Sequence, residues 1–89
     1  MSQIERREAS GTEREQCRNW EIWESGDTDR FEYSYDQDVQ FVVQSGEAVI
    51  HSHSNPPVAI SPGNHVIIRK GVEAVWKISS PIVNRYQYI

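Results

Sequence analysis

The chain has 89 residues, the length of one small domain, and its three Trp, four Tyr and two Phe supply enough large apolar surface for a folded core. Thirteen acidic and nine basic residues give a net charge of -4. The basic residues form no stripe, so we expect no nucleic-acid partner and no attraction to an anionic membrane surface.

The cysteine content and the apolar runs indicate the compartment. Cys17 is the only cysteine, so no internal disulfide can form and no thiolate metal cluster is expected. The amino terminus lacks the apolar stretch of a signal peptide, and no apolar run is long enough to cross a membrane. These features predict a cytoplasmic protein.

Acidic residues are concentrated in the amino-terminal part of the chain. Residues 1–38 contain eleven acidic and five basic residues, whereas residues 39–89 contain two and four. We expect residues 1–11 to be extended or poorly ordered. Thr12 and Glu15 match a capping box, which predicts a short helix ending near Arg18, with coil as the alternative. Residues 1–19 are therefore interpreted as a polar amino-terminal segment, and residues 20–89 as the folded domain.

From Trp20 onward the sequence predicts short β-strands separated by turns. In Phe31–Tyr35 the aromatic residues alternate with polar ones, which should direct three rings to one face of a strand. The turn Gln44-Ser45-Gly46 is expected to separate two further strands. The remaining strands are predicted at residues 20–24, 39–43, 47–53, 58–60 and 82–89.

The stretch Gly63–Trp76 is interpreted as a hairpin at the centre of the fold. His65–Ile68 is apolar and β-branched, the turn at Gly71 interrupts the run, and the apolar pattern resumes after it. Pro81 is expected to break the chain before the last strand. About eight short strands with almost no helix are typical of a sandwich or barrel.

The order and spacing of the turns and aromatic residues resemble the cupin superfamily. The pieces that carry this resemblance are Trp20-x-x-Trp23, Phe31-x-Tyr33-x-Tyr35, Gly46, Pro62-Gly63-Asn64, Gly71 and Trp76-Lys77 followed by Pro81. Within the superfamily, the chain looks like the small single-domain branch typified by ethanolamine-utilisation and ureidoglycolate-related cupins. The resemblance implies an all-β fold, a double-stranded β-helix or jelly-roll barrel, preceded by a short helix or coil.

The resemblance also implies a metal site that this sequence does not reproduce. Cupins carry a His-x-His pair, a Glu and a later His, and those positions are held here by Tyr33, Tyr35, Val39 and Ala74. Val and Ala offer no lone pair to a metal, and a neutral phenol is a poor ligand. We therefore predict no metal and no cofactor, and we do not expect the metal-dependent chemistry of other cupins.

The chain has three histidines, all outside these positions. His51 and His53 have the spacing of a His-x-His pair, but they run into Asn55-Pro56-Pro57 and lack a third ligand. We interpret them as exposed hairpin residues, with a metal site as the alternative. His65 is interpreted as a strand residue that makes one hydrogen bond rather than as a catalyst.

The mouth of the predicted barrel is aromatic, and two interpretations of it stay open. The rings could fill the barrel, or they could surround a pocket for a small organic ligand, in which Ala74 leaves room that a His would occupy. Glu73 is the one acid retained as a candidate beside the inward-facing strand. The candidate ligand-binding residues are Tyr33, Tyr35, Glu73, Ala74 and Trp76, with Val39 and Phe41 nearby, and no catalytic residue is assigned.

The leading hypothesis is a metal-free cupin that binds a small organic molecule or serves as a non-catalytic accessory domain. The resemblance implies an alternative, an enzyme acting on a small polar metabolite through Tyr33, Tyr35 and Glu73 or a metal with unusual ligands. A third hypothesis is a dimerisation module whose adhesive surface is formed by exposed Trp20 and Trp23. A homodimer is among the expected assemblies because the core of so short a chain is small.

Overall fold

The computed structural model describes residues 3–53 and 55–89, and it is built from antiparallel strands. In chain order the elements are β1 (Ile4–Glu8), α1 (Gly11–Gln16), a 3-10 turn (Cys17–Asn19), β2 (Glu21–Glu24), β3 (Arg30–Ser34), β4 (Val39–His51), β5 (Val58–Ile60), β6 (Asn64–Ile68) and β7 (Glu73–Tyr88). The all-β prediction is confirmed. No helix in the described ranges is long and apolar enough to cross a membrane.

The strands form one continuous hydrogen-bonded network around β4 and β7. The main path is β1-β6-β4-β7-β2, while β3 pairs with β7 and β5 pairs with β4. The first part of β4, Val39–Val43, pairs with the last residues of β7, and its second part, Ala48–His51, pairs with residues 75–78. The register shifts between these two parts, and such bulges bend and twist paired strands.

The bend is made possible by a close approach of Gly46 to Pro81. Gly46 has φ 89°, and a Cβ added to it would lie 2.0 Å from the carbonyl oxygen of Pro81. Pro81 cannot donate to a ladder, and Ile82 exchanges hydrogen bonds with Ser25 instead of β4. A bulge is one of the few places where a sheet tolerates proline.

The main core lies between the inner faces of β4, β6 and β7. Buried residues alternate with more exposed ones along each strand, as the pleat requires. The core includes Val39, Phe41, Ile50, Val66, Ile68, Ala74, Trp76 and Ile82. A second, smaller cluster lies outside it and consists of Ala9, Cys17 and Val42, with Trp20 packed against them.

The first residues form part of the sheet. β1 pairs with β6, with Ile4 opposite Ile68, and Ile4 is buried in the main core. Of the two expected forms, extended or poorly ordered, residues 4–8 adopt the extended one, and pairing with β6 holds them in place.

The short helix begins two residues earlier than predicted. Ser10 caps α1 by accepting from the Glu13 N–H, and the Glu13 carboxylate accepts from the Ser10 N–H. Thr12 and Glu15 match the same pattern, but Glu13 is the acid that Arg7 reaches with both guanidinium nitrogens. The acid of the cap that is used therefore also forms an ion pair with β1.

Two predictions are wrong, one about which strands pair and one about where strands end. The predicted central hairpin does not form, because β6 lies between β1 and β4, whereas β7 pairs with β2, β3 and β4. The link between them is held by Tyr35, whose N–H donates to Val72 and whose carbonyl accepts from Gly71. Neither Gly46 nor Pro81 ends a strand, so seven strands are found in the described residues instead of about eight.

Gly46→Ala should lower the free energy of unfolding by about 3 kcal/mol, because it combines an unfavourable φ with a clash against Pro81. Gly71→Ala is the matched control, since Gly71 has φ 95° but nothing within 4 Å of an added Cβ. The control should lose only about 1 kcal/mol. Urea unfolding measures both values, and equal losses would contradict the close approach described here.

The ion pair between Arg7 and Glu13 should make stability depend on acid pH. Hydrogen bonding to Arg7 lowers the pKa of Glu13 to about 2, although partial burial of the carboxylate opposes this effect. The stabilisation is present above the ordinary Glu pKa and is lost as pH falls through the folded-state value. Because Arg7 is 57% exposed, screening leaves about 1 kcal/mol.

Glu13→Gln tests this dependence because glutamine retains the cap but removes the charge. The difference in unfolding free energy between this variant and the natural chain should be largest above pH 5, shrink as pH falls below 5, and disappear only below about pH 2. Glu15→Gln, an exposed position on the same helix, should change nothing over that range. A difference that is as large at pH 2 as at pH 5 would mean that the charge of Glu13 is not its source.

Candidate functional site

A cavity of about 240 Å³ lies among aromatic side chains of β2, β3, β4 and β7. Its deeper wall consists of Trp23, Phe31, Phe41 and Trp76, and its outer wall of four tyrosines, Tyr33, Tyr35, Tyr86 and Tyr88. Val39 and Asn84 complete the lining. Aromatic rings therefore come from eight of the ten lining residues, and none of the ten carries a formal charge at neutral pH.

Trp76 is the centre of the deeper wall. Its ring lies 5.4 Å from Phe41, 5.7 Å from Trp23 and 6.3 Å from Phe31, measured between centroids. The alternation along β3 produces this arrangement, because Phe31 pairs with Trp76 across the strands. Trp76 and Phe41 are only 2% and 3% exposed, so this wall is fixed by packing.

The outer wall is formed by phenols at different depths. Tyr33 and Tyr88 are 40% and 45% exposed, whereas Tyr35 is more deeply placed and contacts the Tyr33 ring at 4.8 Å. Burial raises the pKa of Tyr35 well above its usual range, and the Trp76 indole lowers it in part. Hydrogen bonding with Tyr33 raises the pKa of Tyr88. Both groups are therefore neutral phenols at physiological pH.

Two buried polar atoms belong to residues that line the cavity and have no hydrogen-bond partner in the described part of the chain. They are Nε1 of Trp76 and Oδ1 of Asn84. The Trp76 indole lies close enough to the Tyr35 hydroxyl to influence its pKa, but no hydrogen bond of ordinary geometry joins them. Asn84 is 3% exposed on β7, between Trp23 of β2 and Val43 of β4.

The structure brings together only part of the predicted site. Tyr33, Tyr35 and Trp76 line the cavity, together with Val39 and Phe41. Their role in ligand binding stays a prediction.

Glu73 and Ala74 lie elsewhere, beside a second depression. It has a volume of about 260 Å³, and its other lining residues are Glu32, Tyr33, Ser34, His53 and Val75. Ala74 is buried in the core, and Glu73 is exposed on the opposite face of β7. Only Tyr33 is shared by the two depressions.

Sequence reasoning did not identify Asn84 as a site residue. The signal for it was present, because Asn84 alternates with Val83 and Arg85 and falls on the same face of the last strand as Tyr86. Trp23 was expected to be exposed and adhesive, but it packs against Phe31 and Trp76. Trp20 packs on the smaller cluster, so both rings are partly buried rather than exposed, and a role for them in dimerisation stays a prediction.

The side chains of the cavity do not fit a protein-held metal. None of its ten lining residues is a His, Cys, Asp or Glu. In residues 3–53 and 55–89, no group of three or more such side chains is arranged to hold a metal ion. His51 is half-buried at the end of β4, and His53 is exposed just beyond it.

His65 has a structural position away from the cavity. It is 2% exposed, and its Nε2 lies 3.0 Å from Oε1 of Gln40 and 3.5 Å from the Glu13 carboxylate. Because Gln40 donates through its nitrogen to Gln87, its oxygen is the acceptor for His65. Burial lowers the pKa of His65, which favours the neutral ring that this hydrogen bond uses.

Solved structures with a similar fold support the architecture. A DUF861 family protein from Thermotoga maritima has a TM-score of 0.87 and 19% identity, covering 97% of this chain and 99% of its own. The Clostridium difficile EutQ protein has a TM-score of 0.66 and 21% identity. The match covers 75% of this chain and 52% of EutQ, so this chain spans about half of that protein.

A DUF1255 protein of unknown function from Acidithiobacillus ferrooxidans has a TM-score of 0.62 and 17% identity, over 65% of this chain and 56% of that chain. Identities this low establish the fold alone.

No curated protein matches this chain in sequence. The family model described as the EutQ-like cupin domain matches residues 12–86, which is most of the sequence. The chain therefore belongs to the EutQ-like cupin domain family.

Proposed function

We propose that this cupin domain binds a small organic molecule in the aromatic cavity, without a metal held by the protein. The observation that carries the proposal is that a space of about 240 Å³ stays open among rings that could have filled a barrel of this size. A dry apolar cavity of about 150 Å³ already holds benzene in another protein. The cavity is therefore large enough for one substituted aromatic ring.

The chemistry of the lining favours binding over catalysis. Tyr35 and Tyr88 have raised pKa values, so neither is suited to accept a proton as a base at neutral pH. The remaining polar groups of the cavity wall are the Tyr33 and Tyr86 hydroxyls, the indole N–H groups and the Asn84 amide, and no His, Asp or Glu lines the cavity to activate any of them as a nucleophile. We therefore propose a binding module, which could serve as an accessory domain in a larger assembly.

The compartment and the assembly are also proposals. Cys17 is unpaired and buried, which suits a reducing compartment such as the cytoplasm. A homodimer would add buried surface to a core that is small in so short a chain. Neither proposal affects the position of the cavity.

Filling the cavity should abolish binding. Val39 is 4% exposed and lines the cavity, so Val39→Phe should occupy the space that a ligand needs. Toluene, titrated into the folded protein and followed by NMR shifts of the indole N–H signals, should bind the variant at least about tenfold more weakly.

Val83→Phe is the matched control, because Val83 lies on the other face of β7 and does not line the cavity. This variant should bind toluene as the natural chain does. If neither toluene nor a more polar benzene derivative bound the natural chain, the proposed function would be wrong. Equal weakening in both variants would place the binding site outside this cavity.

A further inference from the structure

We infer that the ligand of this cavity is a small organic cation, free in solution, whose charged nitrogen is fully alkylated and is held against the faces of the aromatic rings. The inference rests on the proposed function and specifies the charge of the ligand. The groups that contact the cation are the lining side chains that keep part of their surface accessible.

The aromatic residues of the chain are concentrated around this one space. The chain has three Trp, four Tyr and two Phe, and eight of these nine residues line the cavity, Trp20 being the exception. The main core differs, because only two of its fourteen buried residues, Phe41 and Trp76, are aromatic. The Val and Ile residues of the core would serve equally well if the site needed apolar area alone. The concentration of rings therefore indicates that the site uses their π-electrons.

The surface that the cavity offers to a ligand is also aromatic. Four of its ten lining residues are buried: Val39, Phe41, Trp76 and Asn84. The other six keep part of their surface, and all six are rings: Trp23, Phe31, Tyr33, Tyr35, Tyr86 and Tyr88. Neighbouring rings are turned steeply against each other, by 70° for Tyr33 and Tyr35 and by 80° for Tyr86 and Tyr88. Walls of different orientation can present ring faces to one group from several sides, as in the aromatic cages that bind quaternary ammonium groups.

The charges around the cavity favour a positive ligand. A ring face attracts a cation, and the attraction grows where water is excluded. The Asp36 carboxylate acts in the same direction, since its charge reaches the Tyr88 hydroxyl and contributes to raising the pKa of Tyr88. Among the described residues, no basic side chain has the opposite effect on Tyr35 or Tyr88. An anion would meet no formal positive charge on the lining, so its desolvation would not be compensated.

The lining also indicates that the nitrogen is fully alkylated. A primary ammonium has three N–H donors that need acceptors once they leave water, and no carboxylate lines the cavity. A quaternary ammonium has no N–H, and its methyl groups pack against rings as apolar groups do. The volume of about 240 Å³ exceeds the cavity of about 150 Å³ that holds benzene in another protein, so a trimethylammonium group with a phenyl substituent has room.

Two probes of the same shape separate charge from apolar contact. They are (3-hydroxyphenyl)trimethylammonium and 3-tert-butylphenol, which differ only in a charged nitrogen in place of a carbon. Each is titrated at pH 7 into the full chain labelled with ¹⁵N, and the indole N–H signals of Trp23 and Trp76 report binding. The quaternary cation should bind about tenfold more tightly than the phenol.

Two further probes test the other parts of the inference. Benzylammonium carries the same charge but three N–H donors, and it should bind at least about tenfold more weakly than the quaternary cation. The anion 3-tert-butylbenzoate should bind more weakly than 3-tert-butylphenol. If benzylammonium bound as tightly as the quaternary cation, the requirement for full alkylation would be wrong.

The methyl signal of the bound cation shows which part of the rings it meets. Protons above a ring face move upfield, whereas protons beside a ring edge move downfield. The N-methyl signal should therefore move upfield as protein is added. A downfield movement would mean that the rings present their edges, and the aromatic cage would be overturned.

Tyr88→Leu removes one ring from the outer wall but keeps an apolar side chain. Tyr88 is 45% exposed, so the variant should fold. Its affinity for the quaternary cation should fall about fivefold, whereas 3-tert-butylphenol should bind within about twofold of its affinity for the natural chain. Tyr88→Phe keeps the ring and loses only the hydroxyl, so it should still prefer the cation. Equal weakening of both probes by Tyr88→Leu would mean that the ring serves only as apolar surface.

Asp36→Asn tests the contribution of the carboxylate. The variant should bind the quaternary cation about threefold more weakly and 3-tert-butylphenol as the natural chain does. Glu15→Gln is the control, because it removes the same charge from an exposed position on α1 and should change neither affinity. An equal loss in both variants would overturn the role assigned to Asp36.

The outcomes separate this inference from the proposed function. If toluene or 3-tert-butylphenol binds as tightly as the quaternary cation, the inference is wrong and the cavity remains an apolar binding site. If the benzoate binds most tightly, the inference is also wrong. If neither toluene nor any of the four probes binds, both fail. Should a variant not fold, the paired probes and the N-methyl shift in the natural chain still decide the question.

Discussion

The fold and its cavity both depend on the shared bend of β4 and β7. Trp76 and Tyr86 are ten residues apart on β7, which would separate them by roughly 33 Å in a straight strand. They nevertheless line one cavity of about 240 Å³. The bulge where Pro81 and Ile82 stand opposite Gly46 makes this possible by bringing the two ends of the strand toward each other. The close approach of the Gly46 backbone to the Pro81 backbone, which involves no side-chain functional group, thus determines where the aromatic rings meet.

Much of the architecture was predictable because alternation and turn residues are local signals. The all-β class, the positions of β3, β5 and β6, and the short helix were all indicated by the sequence. The pairing of β6 was not, because an apolar strand followed by a glycine turn looks the same whether the next strand is its neighbour or lies across the sheet. The prediction that Pro81 ends a strand was wrong for a related reason. Proline cannot take part in a regular hydrogen-bonded ladder, but it can occupy a bulge inside a long strand.

The candidate site was predictable where side chains alternate on one strand and less so where several strands converge. Tyr33, Tyr35 and Trp76 follow from period-two alternation and the cupin resemblance. Glu73 was placed near them by sequence proximity to Trp76, yet the same alternation turns it to the opposite face. Alternation places Asn84 on the same face as Tyr86, but only its burial and its unpaired oxygen distinguish it from the other polar residues of that strand.

The pairing of β1 has a consequence for the behaviour of the chain in solution. Four of its five residues are charged, Glu5, Arg6, Arg7 and Glu8, and they form one outer edge of the sheet. Charged edge strands are poor templates for a further strand. A chain shortened by its first nine residues would instead present β6, whose Val66 and Ile68 are buried in the intact protein. That uncovered edge would favour strand addition between copies, so we expect the charged β1 to disfavour aggregation as well as to complete the sheet.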